Sequence, residues 1–216
     1  MRIVSIQVGL PQKRIDGARE WRSAIDKRPV AHAALSALGL AGDGQADHRY
    51  HGGPERAVLA FCAEHYPIWR KELRRPEFAF GSFGENLTVS GLSESEACIG
   101  DVYAQGEARM QVSQPRVPCV KLERHLGVPG SLRRALETGR TGVYLRVLAP
   151  GTLEPGELAV LERPFPGLTV AVANEALQEP LTPAADALRA CPLLSDGFRA
   201  ALEARAERAR FFGGGR

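Results

Sequence analysis

The chain has 216 residues, 44% of them hydrophobic and 25% charged, with a net charge of +3. That length allows one large domain or a medium domain with a small appendage, and either buries a proper core. No apolar run is long enough for a membrane span. The basic residues form no block, which argues against a dedicated nucleic-acid surface. Four scattered cysteines make neither a disulfide framework nor a zinc motif.

Residues 1–8 read as a strand without the long apolar stretch and cleavage site of a secretory signal, so a cytoplasmic protein is expected. Further strands are predicted at 58–61, 87–89, 102–104, 110–113, 143–147 and 158–161, separated by glycine-bearing turns. Helices are predicted at about 63–74, where Tyr66, Trp69 and Leu73 share a face, and at 131–138 ahead of Gly139. Both are expected to cap a barrel or sandwich. Beyond residues 163–167 the composition turns to alanine, leucine and glutamate, and Pro180, Pro183 and Pro192 divide three helical stretches. In the last stretch Phe198, Leu202, Ala206 and Ala209 recur at helical spacing, an ordinary docking face.

The most informative segment is Gln114-Pro115-Arg116-Val117-Pro118-Cys119-Val120-Lys121-Leu122. Its prolines fix their own φ and push the preceding residues toward extended backbone. Arg116 and Lys121 flank the thiol, and if 120–126 forms a short helix, Cys119 lies at its positive end, where thiolate is stabilised. Such a thiolate serves as nucleophile or metal ligand; Cys62, Cys98 and Cys191 read as small buried hydrophobes. Three further segments carry polar groups that a core does not need. The loop 42–56 offers Gly52 and Gly53 for close backbone approach and His51 and Arg56 for an anion, while Asp43 reads as a turn former. Asn86 offers an amide suited to a heterocycle edge. Arg146 sits in an apolar strand and needs an anionic partner.

The segments HGGPERA (51–57), FGENL (83–87), GD (100–101) and QPRVPCVKL (114–122) occur in the order seen in MOSC-domain proteins, the molybdenum cofactor sulfurase C-terminal domain superfamily. The chain most resembles the YiiM-like branch over most of 35–162, and its trailing helices resemble that branch's three-helix extension. The resemblance implies a mainly β fold with α, a MOSC-type β-barrel with peripheral helices over 1–163, and an α-helical extension over 164–216. It further implies a molybdopterin-type molybdenum cofactor with Cys119 as metal ligand, and reduction of small N-hydroxylated substrates such as 6-hydroxylaminopurine. His51 would then orient substrate or relay a proton. Gly52, Gly53, Arg56, Asn86, Arg116, Lys121 and Arg146 would bind the cofactor. No flavin or nicotinamide fingerprint is present, so electrons are expected from a separate reductase partner. Two alternatives stay open: a cofactor carrier or sulfur-transfer module without turnover, and a metal-free hydrolase using a Cys119–His51 pair.

Overall fold

The computed structural model describes residues 1–16, 19–46 and 52–213. The first part is almost all strand: β1 (Arg2–Val8), the exposed hairpin β2 (Gln12–Asp16) and β3 (Arg19–Ser23), then β4 (Arg28–Val30), β5 (Ala33–Ser36) and β6 (Gly39–Leu40). Next come β7 (Val58–Cys62), helix α1 (His65–Glu72), β8 (Leu87–Ser90), β9 (Val102–Gln105) and β10 (Ala108–Pro115). Helices α2 (Val120–Leu126) and α3 (Ser131–Thr138) precede β11 (Val143–Ala149), β12 (Gly151–Leu153), β13 (Gly156–Glu157) and β14 (Ala159–Glu162). The chain ends in α4 (Val170–Ala176), α5 (Pro183–Ala190) and α6 (Asp196–Gly213).

Among the described residues a mixed sheet runs in the order β13-β1-β8-β7-β11-β10-β9-β14, with β4 added on β1, and curls into a half-barrel. Within it β7 and β8 are parallel and the other pairs antiparallel. One irregularity positions the site. Along β10 and β11, Val112 pairs with Leu145 and Gln114 with Tyr144, so Ser113 is an extra residue in the ladder. Such a bulge bends its strand and re-aims the chain beyond it; in β10 that chain is the proline-bounded cysteine segment.

Two apolar clusters hold the molecule together. The first fills the half-barrel with residues such as Ile3, Val58, Met110 and Leu145, and continues without a break into Val170, Leu188, Phe198 and Leu202 of the last three helices. An ion pair reinforces that continuity: Asp101, fully buried, accepts a hydrogen bond of 2.8 Å from Nη2 of the exposed Arg163 where the strands give way to the helices. The second cluster is aromatic, with Phe61 stacked on Phe83 at 4.7 Å and Tyr66 and Trp69 of α1 around them. Leu122 and Leu126 of α2 and Ala135 of α3 bury against it. No described helix is long and apolar enough to cross a membrane.

Because one core serves strands and terminal helices alike, they should unfold together. Leu202, fully buried, is a direct probe: Leu202→Ala should cost about 2–5 kcal/mol. Far-ultraviolet dichroism of the helices and fluorescence of Trp21 and Trp69 in the barrel part should still report one coincident transition. Separated transitions would show that the helices fold as an independent unit.

Candidate functional site

The cysteine segment is pinned at both ends. Behind it, Ser113 Oγ donates to the carbonyls of Glu55 (2.6 Å) and Tyr144 (3.0 Å), and its own carbonyl accepts from Ser195 N (3.0 Å). Ahead of it, α2 is anchored by Leu122 and Leu126 in the aromatic cluster. Between them Arg116 N donates to Gly142 O at 2.9 Å. Gly142 has φ +93°, and a Cβ there would lie 2.9 Å from Ala60 O, so only glycine lets β11 start close enough to receive Arg116. Cys119 is the extended residue immediately before α2, with φ −121° and ψ 171°, and its carbonyl accepts from Leu122 N at 2.9 Å. The half-buried thiol therefore sits at the positive end of a short helix, an environment that favours thiolate.

Two cavities meet at this thiol. The inner one is a narrow, partly open cavity of about 100 Å³. Its wall is cationic. Arg116 is 7% exposed, and among the described residues its Nη1 has no hydrogen-bond partner. Lys27 is buried in an ion pair with Asp43, their side chains 6% and 3% exposed. Asp43 also accepts from Gly9 N (2.8 Å) and Asn86 Nδ2 (2.9 Å). Burial pulls Lys27 below the ordinary lysine range, opposed by the attraction of Asp43. The larger outer groove, of about 810 Å³, runs between the cysteine segment and the first turns of α6. Cys119, Lys121, Arg56 and Tyr144 line both. Burial holds the Tyr144 phenol above its ordinary value and Cys119 adds to this, while Arg116 and Arg56 pull the other way. Those groups share one electrostatic neighbourhood.

The structure thus brings together most of the residues singled out from the sequence. Cys119, Arg56, Arg116 and Lys121 line the inner cavity, as do Asn86 and Gly52; Gly53 lines only the outer groove. Gly52 has φ +75°, and a Cβ would come within 2.6 Å of Gln45 Oε1, so a side chain there would collide with the facing loop. Asn86 is less available than its sequence setting suggests. Its Oδ1 accepts from Leu59 N (3.1 Å) and its Nδ2 donates to Asp43 and to Gln7 O (3.3 Å), so the amide braces the strands instead of reading a heterocycle.

Arg146 requires a correction, since it lines neither cavity. Its Nη2 donates to Glu55 Oε2 (2.6 Å) and to Leu193 O (2.8 Å), and Nη1 to Gln111 Oε1 (3.3 Å). The anionic partner its strand position demands is thus a carboxylate of the chain itself. His51 lies outside the described residues. Sequence reasoning misses Lys27, Asp43 and Tyr144. Tyr144 lies two residues before Arg146 on the same strand, hence on the same face, and that spacing is the one available signal. Asp43 beside glycine has the pattern of a turn former, and Lys27 belongs to no motif.

Among the described residues no group of three or more His, Cys, Asp or Glu side chains could hold a metal ion. A metal bound by Cys119 would therefore arrive with most of its ligands supplied by a cofactor. The donor set fits an anionic, thiophilic group of that kind: one thiol, a buried arginine with an orphaned nitrogen, and further cations around it.

The family model of the MOSC domain matches residues 47–159. The protein YflK of Bacillus subtilis, described as uncharacterized, is 45% identical over 174 residues, covering 80% of this chain and 78% of YflK. A protein of Gibberella moniliformis named "Reductase" is 42% identical over 173 residues, 78% of this chain but only 30% of that much longer protein. Among solved structures, YiiM from Geobacillus stearothermophilus superposes with a TM-score of 0.78 at 36% identity, over 94% of this chain and 97% of that one. The matched span contains the bulge, the cysteine segment and much of the inner cavity wall, and the structural match extends through the terminal helices; the chain belongs to the MOSC domain family and is YiiM-like within it.

Proposed function

We propose that this protein is a molybdenum-cofactor-dependent reductase of N-hydroxylated compounds, with Cys119 as the protein's ligand to the metal. The observation that carries the reading is the pairing of a half-buried thiol with buried Arg116, whose Nη1 has no hydrogen-bond partner among the described residues on the wall of the same cavity. A buried guanidinium nitrogen without an acceptor is costly, and an anionic ligand would offset that cost. Membership of the MOSC family supports the choice of cofactor, and the relative named as a reductase supports the direction of the chemistry.

When bound, the molybdenum cofactor would supply the two-electron couple for the overall change, in which R–NH–OH, two electrons and two protons become R–NH2 and water. The electrons come from a separate reductase partner. The chain's own residues have narrower tasks. Cys119 holds the metal by its thiolate. Arg116, Arg56 and Lys121 surround the thiol with positive charge, which attracts the anionic cofactor and offsets the charge of the thiolate. Tyr144, its phenol kept protonated by burial, has a hydroxyl proton with which to hydrogen-bond the substrate oxygen. The Lys27–Asp43 pair braces the cavity floor, because Asp43 ties Gly9, Asn86 and Lys27 together.

Protein purified from cells that make the cofactor should contain molybdenum and reduce 6-hydroxylaminopurine with a supplied electron donor. Cys119→Ser should lose both. A wild-type protein that stays metal-free, or a serine variant with full activity, would refute the reading. Cofactor retained without turnover of any N-hydroxylated substrate would instead leave a carrier module.

Arg116→Met separates binding from folding. It should weaken cofactor retention by about tenfold to a hundredfold, the roughly 1.5–3 kcal/mol of a hydrogen bond to a charged group. The cofactor-free variant should melt no lower than wild type, because the substitution removes a buried guanidinium nitrogen that no described residue satisfies. Lower thermal stability with unchanged retention would make Arg116 a structural residue.

A further inference from the structure

We infer that the ring system of the substrate lies in the outer groove, and that helix α6 of the terminal extension is the wall that sets which rings fit. This rests on the reading of the site as a reductase centre, and adds where the substrate sits and what limits its size.

The groove shares Cys119, Lys121, Arg56 and Tyr144 with the inner cavity but not Lys27, Asp43 or Arg116, so a molecule in it meets the thiol without touching the buried Arg116 wall. Its sides differ in chemistry from that cavity. Val117 and Pro118 face Phe198 and Ala201 across it, with Gln114 and Ser195 alongside. Apolar walls suit the faces of a flat heteroaromatic ring, and Lys121 and Tyr144 beside them can hydrogen-bond its edge nitrogens.

The helical wall is rigidly placed. Ser195 Oγ donates to Gln114 Oε1 at 2.6 Å and accepts from Phe198 N at 3.2 Å, so one hydroxyl both caps α6 and bonds it to β10. Ser195 N bonds the bulge at Ser113, and Arg146 holds Leu193 O. The residues that α6 presents are small where the groove is open. A Cβ at Gly197 would meet nothing within 4 Å, so packing does not demand a glycine there. Phe198, 2% exposed, is fixed in the core, which leaves Gly197 and Ala201 as positions where added bulk would narrow the groove, and of these alanine is the better host for a helical side chain.

The test compares Ala201→Trp with Ala200→Trp, a neighbour that is exposed and lines neither cavity. Two readouts are taken: binding of adenine to the cofactor-free protein, by saturation-transfer NMR or equilibrium dialysis, and KM for 6-hydroxylaminopurine with the loaded protein. Ala201→Trp should weaken adenine binding and raise KM by at least about tenfold, with molybdenum content and melting temperature unchanged, while Ala200→Trp behaves as wild type. Adenine binding that is undetectable in wild type, unaffected by Ala201→Trp, or lost equally in Ala200→Trp overturns the inference. Adenine binding needs no metal, so a failure of the reductase reading appears as missing activity with groove binding intact.

Discussion

The site depends on a single irregularity in a β ladder. Ser113 is the extra residue of β10, and its hydroxyl and carbonyl hold three pieces of chain at once: the turn at Glu55, strand β11 at Tyr144, and the start of α6 at Ser195. The bulge bends the strand and re-aims the chain from Pro115 to Cys119 beyond it. Three segments far apart in sequence therefore surround one thiol.

Around this anchor the charges are sorted by burial. Arg146 and Glu55 neutralise each other and fasten the extension through Leu193, while Lys27 and Asp43 do the same on the cavity floor. Both are structural pairs, bound to backbone as well as to each other; only Lys27–Asp43 is buried on both sides, and such backbone bonds are how buried ions are tolerated. Arg116 is buried beside the thiol, and among the described residues its Nη1 has no hydrogen-bond partner. An anionic ligand in the cavity would satisfy that nitrogen.

Much of this is legible in the sequence because the responsible signals are local. The β-rich strands, the glycine turns, α2 immediately after Cys119, and the three terminal helices all derive from propensity and punctuation within a few residues. The hairpin of β2 and β3 is hidden because its strands, Gln-Lys-Arg-Ile-Asp and Arg-Glu-Trp-Arg-Ser, lack a clear apolar alternation. Long-range pairing is the harder limit. A strand arginine in need of an anion can be recognised alone, but whether the anion is a ligand or Glu55, 91 residues away, is decided only when β11 packs beside the turn. For the same reason the sequence does not show that Asn86 spends its amide on Leu59 and Asp43, or that α6 forms a wall of the groove.

The central claim is that Cys119 meets the metal directly. X-ray absorption at the molybdenum edge of the loaded protein measures the sulfur neighbours of the metal without relying on turnover. Wild type should show one sulfur neighbour beyond those of the cofactor, absent from whatever metal Cys119→Ser retains. An identical sulfur shell in both proteins would contradict the claim.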